Sequence, residues 1–199
     1  MGENYSNMNI DAIILAAGLS TRMGANKLLL PYMGKPILQH CLDLAAALPF
    51  YSRTLISREE TLAGVSIPAS FKVILNPAPE KGQSASLRLG LEPALGDGFL
   101  FFQADQPLLD AATVRAVLAL ASENSIVVPR YAGVPGNPVF FPARLKSELM
   151  AVEGDRGGRN VRDRHSDICR YVDIADPGPM WDVDTREKYE LLLSGQIPF

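Results

Sequence analysis

Ile10-Asp11-Ala12-Ile13-Ile14-Leu15-Ala16-Ala17, running on into Gly18-Leu19-Ser20-Thr21-Arg22-Met23-Gly24-Ala25-Asn26-Lys27, decides the fold of this chain. The first part is a nearly unbroken apolar run, the pattern of a strand covered on both faces. It empties into small residues and a glycine, and two cations follow within a few positions. A buried strand that ends this way opens an α/β unit, and in open parallel sheets ligands lie beyond the carboxyl ends of the strands.

Working outward, strand and helix signals alternate. The segment 36–48 carries apolar residues at helical spacing, with Pro36 placed at a helix start. Residues 53–57 and 71–75 read as short strands, and 83–95 as a helix with Pro93 near its end. Phe99-Leu100-Phe101-Phe102-Gln103 is a second fully apolar strand, followed by an amphipathic helix over 110–122 with Asp110 as N-cap. Strands at 125–129 and 138–141 flank a turn-rich stretch. A helix at 142–151, a strand at 168–174 and a last helix at 185–193, capped near Asp184 or Thr185, complete the pattern. The alternation predicts a three-layer α/β/α sandwich around a mostly parallel sheet.

The 199 residues, 47% hydrophobic and 21% charged, are expected to form a single domain over 10–199 behind a polar leader at 1–9. A net charge of −3 argues against broad nucleic-acid binding, which needs a basic surplus. No apolar run approaches the ~18 residues of a membrane span. The leader lacks the basic start and cleavage site of a signal peptide. Cys41 and Cys169 have neither C-x-x-C spacing nor neighbouring histidines, so a zinc site or disulfide framework is not expected. These features together predict a cytoplasmic protein, and nothing in them demands more than a monomer.

The loop at 15–27 fails two known phosphate-binding patterns. Gly24 is followed by Ala25, not by the Gly-Lys-Ser/Thr ending of a Walker loop, and no G-x-G-x-x-G is present. It still has the parts of an anion cradle. Ala16, Ala17 and Gly18 let a ligand approach the backbone, while Arg22 and Lys27 offer charge-assisted hydrogen bonds. Spacing alone leaves a phosphate cradle and a solvated basic turn both open.

Further along, Asp105-Gln106-Pro107 sets a carboxylate at the end of a central strand, either as a ligand for a hard divalent cation or as a turn residue. Asp182-Val183-Asp184-Thr185 places two carboxylates at period-2 spacing ahead of the final helix, for a metal or for a cap. Asn76 and the run Gly82-Gln83-Ser84-Ala85-Ser86 could read a base edge or cap a helix. Gly154-Asp155-Arg156-Gly157-Gly158-Arg159 offers amides and two guanidinium forks to an anion, or is a solvated loop. His40 and His165 read as structural.

The run Leu15-to-Leu38 closely resembles the signature L-A-(A/G)-G-x-(S/G)-x-R-(M/L)-G-x-x-K of the MobA-like nucleotidyltransferases. The alanine in Leu-Ala-Ala-Gly resembles the molybdopterin cytidylyltransferase branch more than the guanylyltransferase branch. The resemblance extends in order through the later motifs, to Asp184-Thr185. It implies a Rossmann-like, nucleotide-diphospho-sugar transferase-like fold and a Mg²⁺-dependent transfer of CMP from CTP to Mo-molybdopterin. The backbone at Leu15, Ala16, Ala17 and Gly18 would hold base, ribose and phosphates, with Asn76, Gly82, Gln83, Ser84 and Ser86 completing the nucleotide pocket. Arg22 and Lys27 would hold the triphosphate, Asp105 would be the principal metal ligand and Asp184, or Asp182, the second. Gly136, Asn137, Pro138, Asp155, Arg156 and Gly157 would face the pterin-phosphate acceptor, and a client molybdenum hydroxylase could receive the product. Ala104 departs from the family's G-D-x-P slot, where glycine is usual. A sister enzyme using GTP or another nucleotide, and a non-catalytic cofactor carrier, are the alternatives.

Overall fold

A computed structural model describes residues 8–154 and 157–197. The chain order is β1 (Ile10–Ala16), β2 (Pro31–Tyr32), β3 (Lys35–Pro36), α1 (Ile37–Ala47), β4 (Ser52–Ser57), α2 (Glu59–Leu62), β5 (Lys72–Leu75) and α3 (Gln83–Leu91). It continues with β6 (Gly98–Gln103), α4 (Ala111–Ala119), β7 (Ile126–Tyr131), β8 (Val134–Pro135), β9 (Val139–Pro142), α5 (Lys146–Met150), α6 (Arg159–Arg164), β10 (Cys169–Asp173) and α7 (Arg186–Ser194).

The main sheet has the order β10-β7-β9-β6-β1-β4-β5, with β8 beside β7. Its pairs are parallel except where β9 runs against β6 and β7 and where β8 folds back on β7. Helices cover both faces, and β1 shows why its sequence is apolar throughout. Ala12, Ile14 and Ala16 join the core packed by α1, α4 and α7, whereas Ile13 and Leu15 join the core of α3, α5 and α6. Asp11 is the exception. Its buried carboxylate accepts from Ser52 Oγ at 2.6 Å and from Gly96 N at 2.8 Å, the partners a buried charge needs. On the other face, α3 lies so close to β1 that a Cβ on Gly90 would run into Ile13 Cγ2.

The expected elements are present, with edges shifted for physical reasons. Pro93 cannot donate the next helical bond, and α3 ends at Leu91 rather than 95. Asp110 caps α4 as expected, its Oδ1 accepting from Thr113 N at 2.7 Å, but the helix closes at Ala119. Segment 142–151 divides into a 3-10 turn and α5. Thr185, not Asp184, caps α7, accepting from Lys188 N at 3.3 Å. The ribbon β2–β3 and the short helices α2 and α6 are additions; the ribbon turns through Met33 and Gly34, both at positive φ. Residues 1–7 of the expected leader lie outside the described residues, while Met8 packs on the core and Asn9 N donates to Asp97 Oδ2 at 2.8 Å. No helix among the described residues is long and apolar enough to cross a membrane.

From β1 the chain builds β4 and β5 outward to one edge, then returns to lay β6 on the other side of β1. The order reverses between β1 and β6, so the loops leaving these two strands diverge and open a crevice.

Candidate active site

One wall of that crevice is the loop after β1. Ser20 and Gly24 take positive φ (54° and 65°), and Met23 N donates to Ser20 O at 2.9 Å, so the loop doubles back on itself. Asn26 then caps a 3-10 turn over Lys27–Leu29 through Leu28 N, and its amide donates to Thr61 Oγ1 at 2.8 Å. With Leu28 buried and Lys27 N on Ser20 Oγ at 3.4 Å, the backbone of Lys27 is fixed. Arg22 stands in solvent at the rim, its side chain 73% exposed and 4.0 Å from Asp184 Oδ2.

Asp105 follows β6. Ala104 N donates to Leu15 O at 3.3 Å, which continues the β1–β6 ladder one residue further. Ala104 is buried and has no positive φ, so alanine fits this position without strain. Asp105 O accepts from Val183 N at 3.0 Å, which draws the segment before α7 to the end of β6 and delivers Asp184 to the same point. Lys27 Nζ sits between the two carboxylates, 2.5 Å from Asp105 Oδ2 and 2.6 Å from Asp184 Oδ1. Asp182 pairs instead with Lys188.

Burial governs the charges. It pushes the Asp105 carboxyl above the usual range, and the Lys27 ammonium draws back only part of that rise. Asp184 is less enclosed: burial raises it, but Lys27, Arg22 and Lys188 outweigh that and hold it below the usual range. Burial alone would lower Lys27; Asp105 and then Asp184 more than compensate and leave it raised. Behind them, burial and then the Asp105 charge push the Cys41 thiol up to about 12, so it is no nucleophile at neutral pH.

The crevice encloses about 670 Å³. Leu15, Ala16, Ala17, Gly18, Arg22, Lys27, Gly82, Gln83, Ser86, Asp105, Asn137, Asp182 and Asp184 all line it. The structure does not bring every expected side chain to the wall. Asn76 is buried behind it, donating to Ser86 Oγ at 3.0 Å and accepting from Ala78 N at 2.9 Å. Ser84 is buried within α3. Gly136 lies against Met180, and Pro138 follows Asn137 through a cis peptide. Gly157 backs onto Gln83, whose Oε1 occupies the place a Cβ would take. Asp155 and Arg156 lie outside the described residues.

Residues 12–168 match the model of the MobA-like NTP transferase domain. The chain belongs to the MobA-like NTP transferase family. It is 30% identical over 193 residues to the purine catabolism protein PucB of Bacillus subtilis strain 168, covering 90% of this chain and 94% of that protein. It is 29% identical over 187 residues to the molybdenum cofactor cytidylyltransferase of Escherichia coli K12, covering 90% and 93%. Among solved structures, the Mycobacterium tuberculosis H37Rv protein Rv0371c in complex with manganese superposes with a TM-score of 0.76 at 28% identity, covering 94% of this chain and 98% of that one.

As a MobA-like NTP transferase, the chain is a nucleotidyltransferase, and several groups lining its cavity escape a motif reading. Gln103 is the one polar residue closing the apolar run of β6, and Phe101 and Phe141 point to the cavity side of β6 and β9. Arg162, which the motifs missed, joins Arg159, one of the two forks read from the 154–159 loop: both reach the cavity from α6 at i, i+3 spacing, the separation that puts two side chains on one helix face. That spacing was present in the sequence, but α6 has no capping side chain or apolar stripe to announce a helix.

Proposed function

We propose that this MobA-like transferase moves CMP from CTP to the terminal phosphate of Mo-molybdopterin, with Mg²⁺ and with release of pyrophosphate. The observation that carries the reading is the convergence of Asp105 and Asp184 on one cation, Lys27 Nζ, at the floor of the cavity. Two carboxylates beside an anion cradle are the donor set that a hard divalent ion accepts when phosphate oxygens and water complete its shell. That the mycobacterial neighbour is solved as a manganese complex adds support for a divalent ion. Asp105 and Asp184 would hold Mg²⁺, which would polarise the phosphoryl oxygens it touches.

The remaining work falls to positioning and charge. An oxygen of the acceptor phosphate attacks the α-phosphorus of CTP, and the bond to the β-phosphate oxygen breaks as pyrophosphate leaves. The attacking oxygen is already ionised, so no general base is required. The backbone at Leu15, Ala16, Ala17 and Gly18 lies along the nucleotide, with Gly82, Gln83 and Ser86 beside the base and Asn76 holding Ser86 from behind. Arg22 and Lys27 neutralise charge gathering on the departing pyrophosphate. Across the cavity Asn137, Arg159 and Arg162 face the acceptor, an anion that two guanidinium groups suit. The product would pass to a molybdenum hydroxylase.

The comparable similarity to PucB supports a second reading, in which the same cavity uses another nucleotide or acceptor. Radiolabelled CTP or GTP incubated with Mo-molybdopterin and Mg²⁺ separates the two. A cytosine dinucleotide with one pyrophosphate per product supports the proposal. A guanine product moves the protein to a sister activity, and no turnover with either nucleotide removes molybdopterin as the acceptor.

A further inference from the structure

We propose that Lys27 is a resident cation on the carboxylate pair, which it vacates only when nucleotide phosphates offer its ammonium a new partner, so that metal and nucleotide enter together. The proposal rests on the metal reading above, and goes beyond it by giving Lys27 a second position and the two ligands a fixed interdependence.

The geometry points there in three steps. Lys27 Nζ lies within 2.5–2.6 Å of one oxygen on each of Asp105 and Asp184, the same two groups that would hold a divalent ion. A second cation at contact distance from an ammonium is strongly repelled where little water screens it, and the Lys27 and Asp105 side chains are only 13% and 16% exposed. The metal therefore cannot join Lys27; it must replace it.

Next, Lys27 cannot leave by moving its backbone. Asn26 caps the turn that carries it, Ser20 Oγ holds its amide, and Leu28 is locked in the core. Only the four-carbon stem can swing, and it swings within the cavity.

Finally, a displaced ammonium that stays buried needs an anion. Among the described residues the cavity carries two further carboxylates, Asp182, already paired with Lys188, and Glu80, from the turn before α3, and neither bonds to Lys27; the wall next to Lys27 is small-residue backbone and the cationic Arg22. A nucleoside triphosphate lying along the loop after β1 supplies that anion. Metal alone must break two ion pairs and strand a buried charge. Metal together with nucleotide replaces both pairs. The coupling is reciprocal: nucleotide tightens metal by the factor by which metal tightens nucleotide.

Mn²⁺ is the probe, with free ion followed by electron paramagnetic resonance at pH 8, with and without an α,β-methylene analogue of CTP or GTP. In wild type the analogue should tighten Mn²⁺ about tenfold or more, within the usual span of coupling between sites. Lys27→Met and Lys27→Gln, two neutral variants checked for folding by thermal unfolding, should bind Mn²⁺ alone about tenfold more tightly than wild type and lose most of the analogue's effect. Lys27→Arg, which keeps a cation, should remain close to wild type. A lysine that only holds triphosphate would leave Mn²⁺ alone unchanged in the neutral variants, and a lysine that only holds the loop together would weaken it; either result overturns the proposal. Wild type binding Mn²⁺ as tightly alone as with the analogue overturns it without any variant. Asp105→Asn distinguishes the underlying reading: if, with the analogue present, it binds Mn²⁺ as tightly as wild type does, the metal reading itself fails.

Discussion

Where the loops after β1 and β6 meet, Lys27, Asp105 and Asp184 fix one another, and each is also anchored through its neighbours' backbone bonds. Across the cavity Arg159 is exposed, and Arg162 bonds to Asp163, the residue next to it. The first wall stands on strands that run parallel and carry their loops to one edge of the sheet. The second stands beyond β9, where the sheet reverses direction, on a helix of six residues. Under the proposed function, the groups for the triphosphate are thus preorganised, and those for the second substrate are exposed or neighbour-bonded side chains on a short helix. Such a division lets one scaffold keep its chemistry while its acceptor changes, because altering the second wall disturbs no buried ion pair.

The sharpest way to break this contrast is Asp105→Asn, which keeps the shape and removes the charge. Turnover should fall by about three orders of magnitude, ~4 kcal/mol of transition-state stabilisation, with the fold intact by circular dichroism. Next is packing beneath the first wall. Gly90→Ala forces a methyl onto Ile13, and a loss of about 1–3 kcal/mol should appear in denaturant unfolding, since overfilled cores cannot relax freely. On the second wall, Arg159→Ala with Arg162→Ala should raise the acceptor KM about tenfold, ~1.4 kcal/mol, and leave nucleotide affinity unchanged in a binding titration. Equal damage to both substrates would erase the distinction between the walls. The smallest effect belongs to the cap: Thr185→Ala should lower stability by about 1 kcal/mol while leaving Asp184 on Lys27.

The same contrast explains what was legible in the sequence. Residues 10–27 announced both a strand and the loop that lines the cavity, because a doubly covered strand must be apolar throughout and small residues leave a loop's backbone open to the space beside it. Asp105 stood out as the first carboxylate after an apolar run. Its contact with Lys27, 78 positions away, and that of Asp184, 157 positions away, are products of strand order that spacing could not reveal. Of Asp182 and Asp184, the latter shares Lys27 with Asp105 and the former pairs with Lys188, a division that spacing alone left open. Asn76 read as a ligand group because a side-chain amide at a strand end can serve a base or a neighbouring hydroxyl equally well; here it serves Ser86. The ribbon at 31–36 was hidden by Met33, a residue that seldom takes the positive φ its turn requires.

The most direct test of the account is an equilibrium titration of CTP, GTP, ATP and UTP, each with and without Mg²⁺, on wild type and Asp105→Ala. The expected result is a preference for CTP that depends on Mg²⁺ in wild type and loses that dependence in the variant. Nucleotide binding that ignores both Mg²⁺ and Asp105 would contradict the assignment of the carboxylate pair, and no nucleotide binding at all would contradict the reading of the cavity.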